Sequence, residues 1–159
     1  MQWPPENIDD GTIKSYCSIG DVYLPLRLKS LVLSDQILSP NFHRAVLEVT
    51  ISDLMSKNSV SSYDNVIDGF AKLRTDHPIL DLLVEIYCLE FYEAMETEAN
   101  GEIELRFQLP IEFLIRVMLR YSNLRLEIPS WPKIKDLNPC DYHGHKSKEE
   151  RAICETNKE

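Results

Sequence analysis

The stretch from Pro78 to Glu98 constrains the fold more than any other part of the chain. Ile79, Leu82, Leu83, Ile86, Tyr87, Phe91 and Met95 recur at the 3.6-residue period of a helix. Asp81, Glu85, Glu90, Glu93 and Glu96 occupy much of the rest. So broad an apolar stripe must be covered by other elements, and its neighbours supply them. Leu24, Leu28, Leu31 and Val32 predict a helix over about 22–37, with Pro25 confined to its first turn. Ser39-Pro40 caps a second helix carrying Phe42, Val46, Val49 and Leu54, and ending near Lys57. Ser62 caps a third, with Val66, Ile67, Phe70 and Leu73. The fourth starts at Pro78 and ends at Asn100-Gly101. Pro110 opens a fifth over 110–123, burying Phe113, Leu114, Val117, Met118 and Tyr121. The expectation is an all-α fold, an irregular bundle of about five helices.

Two stretches resist this reading. Residues 102–109 alternate apolar and polar, a strand signal. With no second such segment to pair with, they are read as an extended connector, a short strand or a helical extension being the alternatives. After Leu126 the prolines Pro129, Pro132 and Pro139 break any long helix. Trp131 and Ile134 are positioned to fold back on the core, and residues beyond about 146 read as a charged, disordered tail. The organisation expected is an irregular segment 1–20, a helical domain 21–125, and a Pro-rich, charged tail 126–159 with a small metal-binding knuckle as an option.

With 159 residues, one domain can close a core without staples. The net charge of -9 is the wrong sign for a phosphate-neutralising surface, which argues against nucleic acid and anionic membranes as partners. The N-terminus lacks the basic-then-apolar pattern of a secretory signal. The four cysteines, Cys17, Cys88, Cys140 and Cys154, form no dense disulfide framework. A reducing compartment, cytoplasm or nucleus, is the expectation.

Chemistry concentrates near the C-terminus. Cys140, His143, His145 and Cys154 read C-x2-H-x-H-x8-C, a donor set suited to tetrahedral zinc. Alternating residues of an extended segment point to opposite sides, so both imidazoles reach one ion only if Gly144 turns the backbone. A solvated tail carrying histidine and cysteine by chance is the competing reading. No phosphate-cradling glycine loop, G-x-S-x-G or H-E-x-x-H occurs. Cys88, between Tyr87 and Leu89, reads as a buried small hydrophobe, and His77 before Pro78 as part of a helix start. No catalytic residue is nominated, and the chain is expected not to be an enzyme.

Five pieces carry a family resemblance. Val32-Leu33-Ser34-Asp35-Gln36-Ile37 looks like the "Y-V-L-A-D-K-L" segment that follows the BTB fold in fungal BTB/POZ-domain proteins. Ser39-Pro40-Asn41-Phe42-His43-Arg44-Ala45-Val46-Leu47 is similar to their "P-x-F-Q-N-A-V-I" helix. His77-Pro78-Ile79-Leu80-Asp81-Leu82-Leu83-Val84-Glu85-Ile86-Tyr87 resembles "S-P-L-R-R-L-L-V-D-I-Y", and Leu109-Pro110-Ile111-Glu112-Phe113-Leu114 resembles "L-P-x-E-F-L". Cys140-Asp141-Tyr142-His143-Gly144-His145 looks like the closing "C-x-Y-H-x-H". The BTB fold itself, which dimerises and engages cullin-type ubiquitin ligases, has no counterpart here, so those activities are not carried over. The resemblance implies an all-α module that binds or supports protein partners. Without a BTB half to cover the first helix, Leu24, Leu28 and Leu31 are expected to form a bare patch. Tyr92 and Met95 are expected at the exposed edge of the fourth helix. Together these five make the candidate surface for a protein partner or for self-association. The alternative class is a zinc-stabilised regulatory protein using the Cys/His tail.

Overall fold

The computed structural model describes residues 23–56, 61–91, 96, 101–127 and 133–156. Among these every regular element is helical: α1 (Leu24–Gln36), α2 (Pro40–Ser56), α3 (Tyr63–Lys72), α4 (Pro78–Glu90), α5 (Glu102–Leu105), α6 (Ile111–Glu127) and α7 (Lys148–Thr156). Three 3-10 turns supplement them, at Arg106–Gln108, Ile134–Asp136 and Pro139–Asp141. The irregular segment 1–20, Cys17, Tyr92, Met95 and Trp131 lie outside the described residues.

Helix α4 is the axis of the fold, buried on both sides. One side joins Leu28, Leu31, Ile51, Leu54 and Leu73 through Ile79, Leu82, Leu83 and Ile86. The other meets Tyr63, Val66, Phe113, Val117 and Leu124 through Val84 and Cys88. Being covered on both sides is what its broad apolar stripe required. Cys88 is 2% exposed, and burial pushes its thiol up to about 12, so it packs as a small apolar group. Between α4 and α6, Arg120 forks over both oxygens of Glu85, and Arg116 bonds Asp81 at 2.7 Å while lying over the Phe70 ring.

The bare patch expected on α1 is corrected. Leu24, Leu28 and Leu31 are at most 1% exposed, because α2 and α3 of the same chain fold over that stripe. Exposed apolar residues include Leu26 and Leu33 on α1, Ile37 just after it, and Phe107, Ile111, Ile115, Met118 and Leu119 along α6 and the turn before it.

The fourth helix stops at Glu90, well short of Gly101. Phe91 turns extended and stacks its ring on Tyr87 at 4.6 Å. The carboxylate of Glu96 then accepts the Tyr63 hydroxyl and pairs with Arg106. Residues 102–108 are helical rather than an extended connector. The Glu102 side chain accepts the Tyr63 backbone N–H at 2.9 Å, tying this short turn to the start of α3. Within the stretch after 146, expected to be disordered, Lys148–Thr156 form α7. Ser147 Oγ accepts the Glu150 N–H at 3.1 Å, and Glu150 reaches back to the Lys146 N–H at 2.8 Å. Glu150 also pairs with Arg44 of α2 at 2.6 Å. Ile134, 1% exposed, joins the main core, as its sequence position suggested.

Two local features have measurable consequences. Helix α1 ends in a Schellman motif: the Ser39 N–H reaches the Ser34 carbonyl at 3.1 Å, and the Leu38 N–H reaches Asp35 at 3.3 Å. The motif needs a left-handed residue, normally glycine, and here Leu38 has φ 52 and is 86% exposed. A left-handed leucine costs roughly 1–2 kcal/mol, and glycine's extra unfolded-state freedom returns about half of that. Leu38→Gly is therefore expected to stabilise by about 0.5–1 kcal/mol in urea denaturation.

His77 caps α4, its Nδ1 accepting the Ile79 N–H at 3.2 Å, while its Nε2 is buried without a partner. Burial, and then the nearby His43, hold its pKa down to about 4. A group depressed in the folded state keeps its full stability above the unfolded value of 6.5 and loses it as pH falls toward 4. That loss should amount to roughly 3 kcal/mol. His77→Asn keeps a capping acceptor and removes the titration, so its stability should fall less between pH 6.5 and 4.

Candidate metal centre

The donor set is assembled in four local steps. Asn138 accepts the Cys140 N–H on its side-chain oxygen at 3.0 Å, and Pro139 starts a 3-10 turn. That turn holds Cys140 inward, 2% exposed. Tyr142 packs against the main core, and its burial and the nearby Glu85 push its hydroxyl above the ordinary phenol range. The segment is thereby moored before the first histidine. Gly144 then takes φ +62, with nothing near enough to obstruct a β-carbon, so its requirement is backbone conformation and not space. This turn brings the His143 and His145 rings together, centroids 5.5 Å apart and 72° inclined. Finally Ser147 caps α7, which runs two turns and returns Cys154 to the cluster. Its Sγ lies 3.4 Å from His143 Nδ1.

The outcome is that one donor atom from each of Cys140, His143, His145 and Cys154 lies within 4.8 Å of the other three. Tetrahedral zinc, with bonds near 2.3 Å to sulfur and 2.0–2.1 Å to nitrogen, puts its ligands about 3.3–3.8 Å apart. A contraction of about 1 Å at most brings the set onto one ion. His145 Nε2 is buried and has no hydrogen-bond partner, so it is available as a metal ligand. Two thiolates and two neutral imidazoles fill four positions, which suits a closed structural site rather than a catalytic one with an open position.

Around the donors, Arg151 bridges Asp141 and Glu155, and Asn138 bonds Glu155 at 3.3 Å. A depression of about 380 Å³ is lined by Cys140, Gly144, His145, Ser147 and Arg151 among others. All four donors were predicted from spacing. The supporting residues Asn138 and Ser147 were not, although the Asn-Pro pair and the Ser-x-x-Glu pattern were there to be read. Of the residues predicted to contact a partner, Leu24, Leu28 and Leu31 lie in the core, far from this centre in role.

No protein-family model matches this chain, and neither the curated proteins nor the solved structures include one that resembles it significantly. The site therefore stands on its own geometry. No helix of the described residues is long and apolar enough to cross a membrane.

Proposed function

We propose that this chain is a non-catalytic helical protein-interaction module whose C-terminal segment is closed by one structural zinc ion on Cys140, His143, His145 and Cys154. The observation that carries the reading is the convergence of those four donors within 4.8 Å. A segment with few core residues gains most from such a clamp, because binding the ion and folding the segment become one event. The clamp would hold Ile134 and Tyr142 against the main core, and α7 against Arg44 of α2. Both sulfurs must be reduced to bind zinc, which favours the cytoplasm or nucleus.

The interaction half of the proposal is supported by two things. Five ordered sequence pieces resemble the helical region that follows the BTB fold in fungal proteins. The exposed Phe107, Ile111, Ile115, Met118 and Leu119 also leave apolar surface on one side of the bundle, and the partner class is protein. The test is elemental analysis of the purified chain, expected to find one zinc per chain, lost to a strong chelator. Substoichiometric metal after growth and purification with added zinc would remove the clamp from this reading.

A further inference from the structure

Resting on the zinc reading, we propose that the centre is a thiol switch: hydroperoxide oxidises Cys140 and Cys154 to an intramolecular disulfide and expels the ion. The two sulfurs belong to one donor set and lie within 4.8 Å of each other, so they can close to a bond with a small local movement. Their settings differ in the way a switch needs. Cys154 sits on the last turn of α7 and is partly exposed, whereas Cys140 is 2% exposed. The depression lined by Cys140 and His145 lies on the solvent side of the donor set, and the partly exposed Cys154 is the sulfur an oxidant meets first. Cys88, in contrast, is buried between α4 and α6 with a raised pKa and holds its proton.

The step balances. The Cys154 thiolate attacks one peroxide oxygen, the O–O bond breaks, and the cysteine becomes a sulfenic acid with release of hydroxide, which is protonated to water. The Cys140 thiolate then attacks that sulfur, the S–S bond forms, and the S–O bond breaks to release a second hydroxide, protonated in turn. Two sulfurs lose one electron each, the peroxide gains two, and two protons come from solvent. Zinc keeps only His143 and His145, too few to hold it against solvent. Cys140 and Cys154 remain bridged, so α7 stays tethered to the Pro139–Asp141 turn while the His143–His145 loop is released.

The experiment uses the zinc-loaded full chain, hydrogen peroxide and a chromogenic chelator, with non-reducing peptide mass mapping of the product. The expected result is one zinc released per chain and a Cys140–Cys154 cross-link in equal yield, with zinc uptake restored by a thiol reductant. Cys88→Ala should behave identically. The inference is overturned if zinc is retained. It is also overturned if zinc is lost to sulfinic acids, or to cross-links that join either cysteine to Cys88, to Cys17 or to another chain. A chain that never holds zinc would overturn the underlying reading as well, and elemental analysis before oxidation separates that failure from the others.

Discussion

Cys140→Ser is expected to weaken zinc binding by far more than 100-fold and to make thermal unfolding insensitive to chelators. Losing a residue that only orients a ligand typically costs 10- to 100-fold in affinity, and loss of a thiolate from the ion itself costs more. The effect on stability follows from linkage. An ion that binds only the folded state stabilises it by about 4 kcal/mol when present at a thousand times its dissociation constant. The wild-type chain should therefore melt lower after chelation, and Cys140→Ser should melt at that lower temperature with or without zinc. A serine hydroxyl at a position 2% exposed carries a burial cost of its own. His145→Ala is the cleaner companion: its Nε2 has no hydrogen bond to lose, so its cost should vanish in the chelated state. Asn138→Ala, which removes the bond to the Cys140 N–H and the one to Glu155 but no zinc ligand, should sit between, with affinity down about 10- to 100-fold. Differential scanning fluorimetry with zinc and with chelator ranks all four. A wild-type melt that chelation does not move would contradict the clamp.

The donor set could be read from sequence because residue identity carries it. The residue types and their spacing nominate the four ligands against a chance tail, and Gly144 meets the one backbone condition that lets both imidazoles reach one ion. The stripe of α1 is equally readable, but the element that covers it is not. Periodicity says that Leu24, Leu28 and Leu31 share a face. It does not say which element covers that face, and α2 and α3 do so within this chain. The end of α4 was not readable for a different reason. Nothing local marks Glu90 as the last helical residue; the chain leaves the helix where Phe91 can stack on Tyr87 and Glu96 can reach Tyr63, 33 residues away. Residues 102–109 show the same limit. Their alternation satisfies a strand pattern, but a strand needs a neighbour, and the bond from Glu102 to the α3 backbone rewards a helical turn instead. In α2 and α6 the helices were right and their phases only partly so. Phe42, Val49, Leu114 and Met118 were assigned inward and are exposed, while Ile51 and Leu124 fill the core. A single apolar stripe on a helix rich in apolar residues leaves its rotation under-determined.

Phe113→Ala is expected to cost about 3–5 kcal/mol, whereas Met118→Ala, five residues along the same helix, should stay within about 0.5 kcal/mol. Phe113 is fully buried and meets the rings of Phe70 and Tyr87 edge-on, with centroids 5.6 and 5.2 Å away. Truncation removes both aromatic contacts and leaves a void beneath Val84 and Cys88 that the two flanking helices, pinned by Arg116 and Arg120, cannot readily close. In a domain whose whole stability is of order 5–15 kcal/mol this is a large fraction, equivalent to a fall of about 10 °C or more in Tm. Met118 is 71% exposed, so truncating it removes little buried surface. The pair divides α6 into a face that holds the bundle together and a face that faces solvent. Urea denaturation of both variants measures the division directly. Equal costs would mean that the Met118 side is covered after all, and with it Ile111, Ile115 and Leu119. A cost confined to Phe113 would leave that side free for a protein partner, where Met118→Ala should alter binding without altering the fold.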